Sequence, residues 1–221
     1  MTEIRLPFAD RVAAGRALAA ALAHMRLADP IVLALPRGGV PVGLQIAQAL
    51  SAPLDLLLVR KIGVPYQPEL AVAAVMDGDA PVLVVDEAIR AGTGVTRDYI
   101  EQQAQVQRAE IERRRRTYLG GRAPLPVAGK TAIVVDDGIA TGTTMRAAVK
   151  GLRERKPARI VIAVPVAPPD TVAALRREVD DVVCLAQPEV FGAIGYFYRD
   201  FHQLSDQEVI DALQEAARGQ R

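Results

Sequence analysis

The chain holds 221 residues, with 27 Lys and Arg against 26 Asp and Glu for a formal net charge of +1. That balance excludes bulk attraction to nucleic acid or to a membrane surface, so any cationic site has to be local. One cysteine, Cys184, excludes an internal disulfide, and two histidines, His24 and His202, without Cys/His ligand spacing exclude a structural zinc site.

Taken in order, the chain alternates helix and strand signals. Ala9 to Met25 carries apolar residues at helical spacing, and Ile31 to Leu35 is a short apolar run. Val40 to Leu50 reads as a helix and Leu54 to Val59 as a second buried strand. Leu70 to Met76 and Val82 to Val85 read as a hairpin turning at Asp77-Gly78-Asp79. Arg97 to Tyr118 is a long polar helix with Ile100, Ala104, Gln107 and Ile111 along one side, set in the least regular part of the core, Asp86 to Gly129. Strands follow at Thr131 to Val135, Arg159 to Val164 and Val182 to Leu185, and helices at Thr144 to Arg155, Pro169 to Val179 and Asp206 to Arg218. Continuous apolar strands alternating with helices predict an α/β fold with a parallel sheet covered on both faces, whose ligands sit at the carboxyl ends of the strands. No repeat and no low-complexity linker divides it, so one domain is expected. The apolar neighbours of Cys184 mark a buried strand thiol rather than a nucleophile. No signal-like start and no membrane-length apolar run is present, from which a cytoplasmic location is expected.

Two segments carry chemistry. In Ile133-Val134-Val135-Asp136-Asp137-Gly138-Ile139-Ala140-Thr141-Gly142-Thr143-Thr144, a buried strand ends in two carboxylates and a loop of small and hydroxyl residues opens a helix. Backbone N–H groups and the helix dipole favour a phosphate at the Thr and Gly positions. The carboxylates would repel that phosphate and suit sugar hydroxyls or a bridging metal ion instead. A Walker A loop needs Gly-Lys-Ser/Thr and a dinucleotide fingerprint needs G-x-G-x-x-G, and neither spacing is present here. The second segment, Leu35-Pro36-Arg37-Gly38-Gly39-Val40, follows the first strand and also opens a helix. Its glycines let backbone amides approach a polyanion, and Arg37 adds a cation.

The acid pair followed by G-x-x-T-G-x-T resembles the phosphoribosyl-pyrophosphate (PRPP) motif of the type I phosphoribosyltransferases, over about residues 30 to 200. The resemblance implies that family's single-domain fold: a core at about 30–186, a small hood at about 187–205 and a C-terminal helix at about 206–218. It implies transfer of 5-phosphoribose from PRPP to a nitrogenous acceptor, such as a nucleobase, with release of pyrophosphate and dependence on Mg²⁺. Asp136 and Asp137 would be the catalytic and metal-associated acids. Gly138, Ala140, Thr141, Gly142, Thr143 and Thr144 would hold the 5′-phosphate. Arg37, Gly38, Gly39 and Lys61 would hold the pyrophosphate, in a loop that often has unusual peptide geometry. Lys61 is preferred over Arg60 as the cation at the end of the second strand. Family members are often homodimers.

Five of the nine aromatic residues lie between positions 191 and 201. They match the hood over the acceptor, and Phe191, Tyr196 and Tyr198 are the candidate acceptor contacts, with Gln187, Glu189 and Asp200 as polar ones. The segment Asp86 to Thr96, with Arg90 and the Gly92-Thr93-Gly94 hinge, is the candidate lid. The run Arg113 to Arg116 reads as a solvated, salt-bridged helix face. It also supports the rival reading, a non-catalytic PRPP sensor that binds nucleic acid or protein.

Overall fold

In the computed structural model, residues 6–78 and 81–219 are described. Helix α1 (Arg11–Leu22) is capped by Asp10, whose carboxylate accepts from the Ala13 N–H at 2.7 Å. It leads to β1 (Pro30–Ala34), α2 (Gly39–Leu50) and β2 (Leu54–Leu56). The chain then leaves this sheet and builds a second one from β3 (Val59–Val64), β4 (Gln67–Met76) and β5 (Val82–Val85). Helices α3 (Glu87–Thr93) and α4 (Arg97–Leu119) follow, then β6 (Thr131–Val135), α5 (Thr143–Glu154), β7 (Arg159–Val166), α6 (Pro169–Leu175) and β8 (Asp181–Ala186). A 3-10 turn at Ile194–Phe197 and helix α7 (Asp206–Arg218) complete it.

The expected parallel sheet is present, in the order β2-β1-β6-β7-β8. Successive side chains of a strand point to opposite faces, and here they feed two cores. Val32 and Ala34 of β1 join Leu18, Leu22 and Ile46 from α1 and α2, while Ile31 and Leu33 join Met145, Leu152 and Leu175 from α5 and α6. The first of these cores also takes Ile62 and Val72 from the second sheet, so both sheets belong to one domain.

The expected single strand Leu54 to Val59 is two strands in two sheets. Leu57 and Leu58 carry the chain between them, and both are buried. Period-2 reasoning cannot see such a crossing, because residues on either side of it are apolar for different reasons. The expected hairpin is present as antiparallel β4 and β5, but β4 also pairs with β3 along its other edge. Of the expected turn residues, Asp79 lies outside the described residues. Asp77 is 4% exposed, and its carboxylate accepts from the Leu58 N–H at 3.0 Å.

The tetra-arginine run departs from expectation in one member. Arg113 and Arg116 are exposed and paired with Glu110 and Glu112, as a solvated face would be. Arg115 is buried between two buried carboxylates, donating to Asp77 at 2.6 Å and to Asp55 at 3.1 Å. Consecutive helix residues are rotated by about 100° from each other, so four in a row cannot share one face. Arg115 continues the stripe of Ile100, Ala104 and Ile111 toward the core, and Asp55 and Asp77 meet its charge there.

Cys184 lies half-buried in β8, with its thiol donating to the Ala186 carbonyl at 3.2 Å and its pKa pushed up to about 11 by burial. A thiol held protonated at neutral pH is a poor nucleophile, as expected.

Candidate active site

Strands β1 and β6 are parallel neighbours in register, with Ala34 opposite Val135. The two segments singled out in the sequence therefore leave the sheet side by side at its carboxyl end. Leu35 extends the ladder by one bond, its N–H donating to the Val135 carbonyl at 2.9 Å. The Pro36–Arg37 peptide bond is cis, an unusual geometry of the kind expected for this loop. Its glycines serve the neighbouring loop as well as the approach of a ligand. A Cβ on Gly38 would lie 2.0 Å from Asp137 Oδ2, and one on Gly39 would lie 2.5 Å from the Val135 carbonyl oxygen. Gly38→Ala is accordingly expected to force the two loops apart. Overpacking of this kind costs about 1–3 kcal/mol, and the displacement is expected to weaken binding of a phosphorylated ligand such as PRPP at least about tenfold. Thermal melting and calorimetric titration of the variant check both effects.

The two acids divide their labour. Asp137 is 8% exposed and its Oδ2 accepts from Arg11 Nε at 2.8 Å. Arg11 in turn donates to the His202 carbonyl at 2.9 Å, and its guanidinium lies 3.9 Å from the centre of the Phe201 ring. Asp137 is thus a paired, buried group whose charge is met from α1. Asp136 lines a cavity of about 220 Å³ together with Pro36, Arg60, Arg114 and Thr144. Its Oδ1 accepts from the Asp137 N–H at 2.9 Å. Burial, and then the neighbouring Asp137 carboxylate, hold the Asp136 pKa well above the usual carboxylate range. Of the expected acid pair, Asp136 is the one that faces open space.

Past the acids the loop is pinned at three points. The Ile139 N–H donates to the Val166 carbonyl, Thr171 Oγ1 to the Ala140 carbonyl at 2.9 Å, and Thr141 and Thr143 hydroxyls lie 3.1 Å apart. Gly142 sits at φ 75° as the N-cap of α5, and no side chain caps that helix. Its first N–H groups are therefore presented together with the Thr141, Thr143 and Thr144 hydroxyls, which is the arrangement an anion needs. Gly138 has a different role from its neighbours. A Cβ there would lie 2.6 Å from Ile194 Cγ2, so this glycine admits the Ile194–Phe197 turn.

Arg37, the expected pyrophosphate cation, stands 3.7 Å from Asp206 at the start of α7. Lys61 and Arg60 lie within β3 rather than at a strand end of the parallel sheet, and pair opposite Ala74 and Val75 of β4. Side chains alternate along the strand, and it is Arg60 that enters the cavity wall beside Asp136. Among the expected acceptor contacts, Phe191 packs on Phe197 at 5.1 Å and Tyr196 is 77% exposed. Tyr198 stands elsewhere than expected. Its ring lies between Phe8 and Phe201, at 5.7 and 4.9 Å, and its hydroxyl donates to the Asp137 carbonyl at 2.6 Å. With 6% exposure it supports the acid loop from behind and leaves no face open to a stacked base.

Sequence reasoning missed Arg11, Arg114 and the structural use of Tyr198. Nothing local distinguishes Arg11 from Arg16, which bonds Gln45 on α2. Arg114 was hidden inside a run read as a whole.

The two strand-to-helix loops leave adjacent parallel strands at one end of the sheet, with the acids and the threonines on the loop between β6 and α5. A family model for the phosphoribosyl transferase domain matches residues 9–202. The chain belongs to the phosphoribosyltransferase family. Two relatives come from Mycobacterium tuberculosis strains, one of them named "Putative phosphoribosyl transferase Rv0571c"; each is 44% identical over 211 residues, or 96% of this chain. The alignment covers 47% of those relatives, so the chain spans about half their length. Among solved structures, TT1426 from Thermus thermophilus is 40% identical with a TM-score of 0.85, covering 96% of this chain and 99% of that chain.

Proposed function

We propose that this chain transfers 5-phosphoribose from PRPP to a nitrogenous acceptor, a nucleobase in the first instance, with release of pyrophosphate. The observation that carries the reading is that the loops after β1 and β6 leave adjacent strands side by side, and that Leu35 and Pro36 of one and Asp136 and Thr144 of the other line one cavity, while Arg37 and Gly38 line a second one beside Arg11. One loop offers amides and hydroxyls at the start of α5 for the 5′-phosphate. The other is the loop that this reading assigns to the diphosphate of the same molecule. Fixing both ends holds C1 in line for attack, and orientation of that kind removes much of a bimolecular barrier.

As the bond from C1 to pyrophosphate lengthens, the ribose ring becomes positive and the leaving oxygen negative. The Asp136 carboxylate, accepting from ribose hydroxyls, stabilises the first charge. Arg11 meets the charge of Asp137, which leaves Asp136 as the acid of the pair that lines the cavity. The acceptor nitrogen then forms its bond to C1 on the face away from pyrophosphate, under the hood formed by residues 187–205.

Mg²⁺ fits these residues in a limited way. Among the described residues no group of three or more His, Cys, Asp or Glu side chains could hold a metal. Mg²⁺ commonly binds through one or two carboxylates plus substrate phosphates, and Asp136 is the carboxylate available for that. Bound there, it would supply charge neutralisation to the departing pyrophosphate.

Calorimetric titration of PRPP with Mg²⁺ is expected to give saturable binding to wild type and strongly weakened binding to Asp136→Asn. Absence of binding to wild type would overturn the reading. The rival, a sensor that binds nucleic acid through Arg113–Arg116, has less support than the sequence alone suggested. Arg115 is buried in the core, and Arg114 lines the cavity.

A further inference from the structure

Helix α4 places Gln107, Glu110, Ile111 and Arg114 at positions i, i+3, i+4 and i+7, which form one stripe. Ile111 and Arg114 line the cavity that holds Asp136 and Thr144, and Gln107 and Glu110 position the cations in its wall. Arg60 Nε donates to Gln107 Oε1 at 2.9 Å, and Arg114 Nε donates to Glu110 Oε1 at 2.8 Å. The rotation of α4 that directs this stripe is fixed from the next position, because Arg115 is locked between Asp55 and Asp77.

The charges in this wall do not cancel. Arg60 is steadied by a neutral amide, so its positive charge is uncompensated. Glu110 is shared between Arg113 and Arg114, and those two arginines lower its pKa to about 2, which leaves a surplus positive charge in that triad. Against the two guanidiniums the cavity lining offers one acid, Asp136. Each guanidinium is held through Nε, and no hydrogen bond to a described residue engages its terminal amino groups. That is the fork geometry that binds phosphate oxygens in pairs.

We propose that Arg114 and Arg60 form a two-guanidinium clamp for a diphosphate, with α4 supplying from within the same chain a cation for the leaving group. The inference rests on the donor-site reading above and adds the residues that grip its pyrophosphate end. It replaces Lys61 by Arg60 in that role and gives one member of the arginine run a use at the site.

The test titrates inorganic pyrophosphate and ribose 5-phosphate separately, both with Mg²⁺, into wild type, Arg114→Gln, Arg114→Lys and Arg116→Gln. Arg114→Gln is expected to raise the Kd for pyrophosphate at least about tenfold and to leave that for ribose 5-phosphate within about twofold. Arg114→Lys keeps the charge without the fork and is expected to fall between wild type and Arg114→Gln. Arg116→Gln, altered on the exposed side of α4 where it pairs with Glu112, is expected to match wild type. Unchanged pyrophosphate binding in Arg114→Gln would overturn the clamp, as would equal weakening of both ligands, which would mark Arg114 as merely structural. A wild type that binds ribose 5-phosphate but not pyrophosphate overturns the clamp alone. A wild type that binds neither overturns the donor site and the clamp together.

Discussion

Asp136→Asn is expected to lower the rate of pyrophosphate release from PRPP and acceptor at least about a hundredfold while leaving the melting temperature close to that of wild type. The expectation follows from how the two acids are placed. Asn keeps the shape of the side chain and its acceptor oxygen for the Asp137 N–H, a bond of 2.9 Å in the wild type, so the loop has no reason to move. What disappears is the negative charge facing the cavity, where low dielectric makes charge stabilisation strong. The same change at Asp137 would be a poorer test, since it would strip Arg11 of its carboxylate and confound catalysis with folding. Near-wild-type turnover in Asp136→Asn would remove this acid from the mechanism. Because burial and Asp137 raise the Asp136 pKa, wild-type activity is also expected to decline on the acid side at a higher pH than an ordinary aspartate would produce.

Arg115→Met is expected to destabilise the protein by about 3–5 kcal/mol, the usual cost of leaving buried charges without their partner. For a chain of this size that lowers the melting temperature by roughly 10 °C. The exposed neighbour Arg116, changed in the same way, is expected to shift stability by no more than about 0.5 kcal/mol. The pH dependence gives a second check. Asp77 has its pKa raised from 3.8 to about 6, by burial first, with Arg115 opposing the rise. Between about pH 4 and 6 the folded chain therefore keeps a proton that the unfolded chain has released, and this group's contribution to stability is lost as pH rises through that window. Without Arg115 the opposing attraction is gone, so the loss is expected to be larger and to extend to higher pH. Denaturant melts of both variants across pH 4–8 measure it.

The parts of the site legible in the sequence are those that lie within a dozen residues of one another. A strand, an acid pair, a Gly-rich loop and a helix start, all between Ile133 and Thr144, are local facts, and the structure presents them in that order. The same holds for Leu35 to Val40. What stayed hidden depends on packing between distant elements. Which of four consecutive arginines is buried is decided by Asp55 and Asp77, on segments that no local pattern places under α4. The passage between the two sheets at Leu57 and Leu58 was invisible because both sheets bury their residues there. Tyr198 was counted with its aromatic neighbours by composition, whereas its hydroxyl bond to the Asp137 carbonyl sets its role.

The pairing of Arg11 with Asp137 joins residues 126 apart, and the bond from Arg11 to the His202 carbonyl spans 191. On a ribosome, where the chain emerges from its amino end, Arg11 has to wait for nearly all of the domain before its partners exist. The acid loop can fold onto β1 and meet Arg11 earlier than that, but without the His202 carbonyl and the Phe201 ring that hold the guanidinium. Completion of the candidate site is thereby timed to the arrival of Phe201 and His202, and a nascent chain that has made both strand-to-helix loops still lacks the contacts that hold Arg11 against the second of its acids.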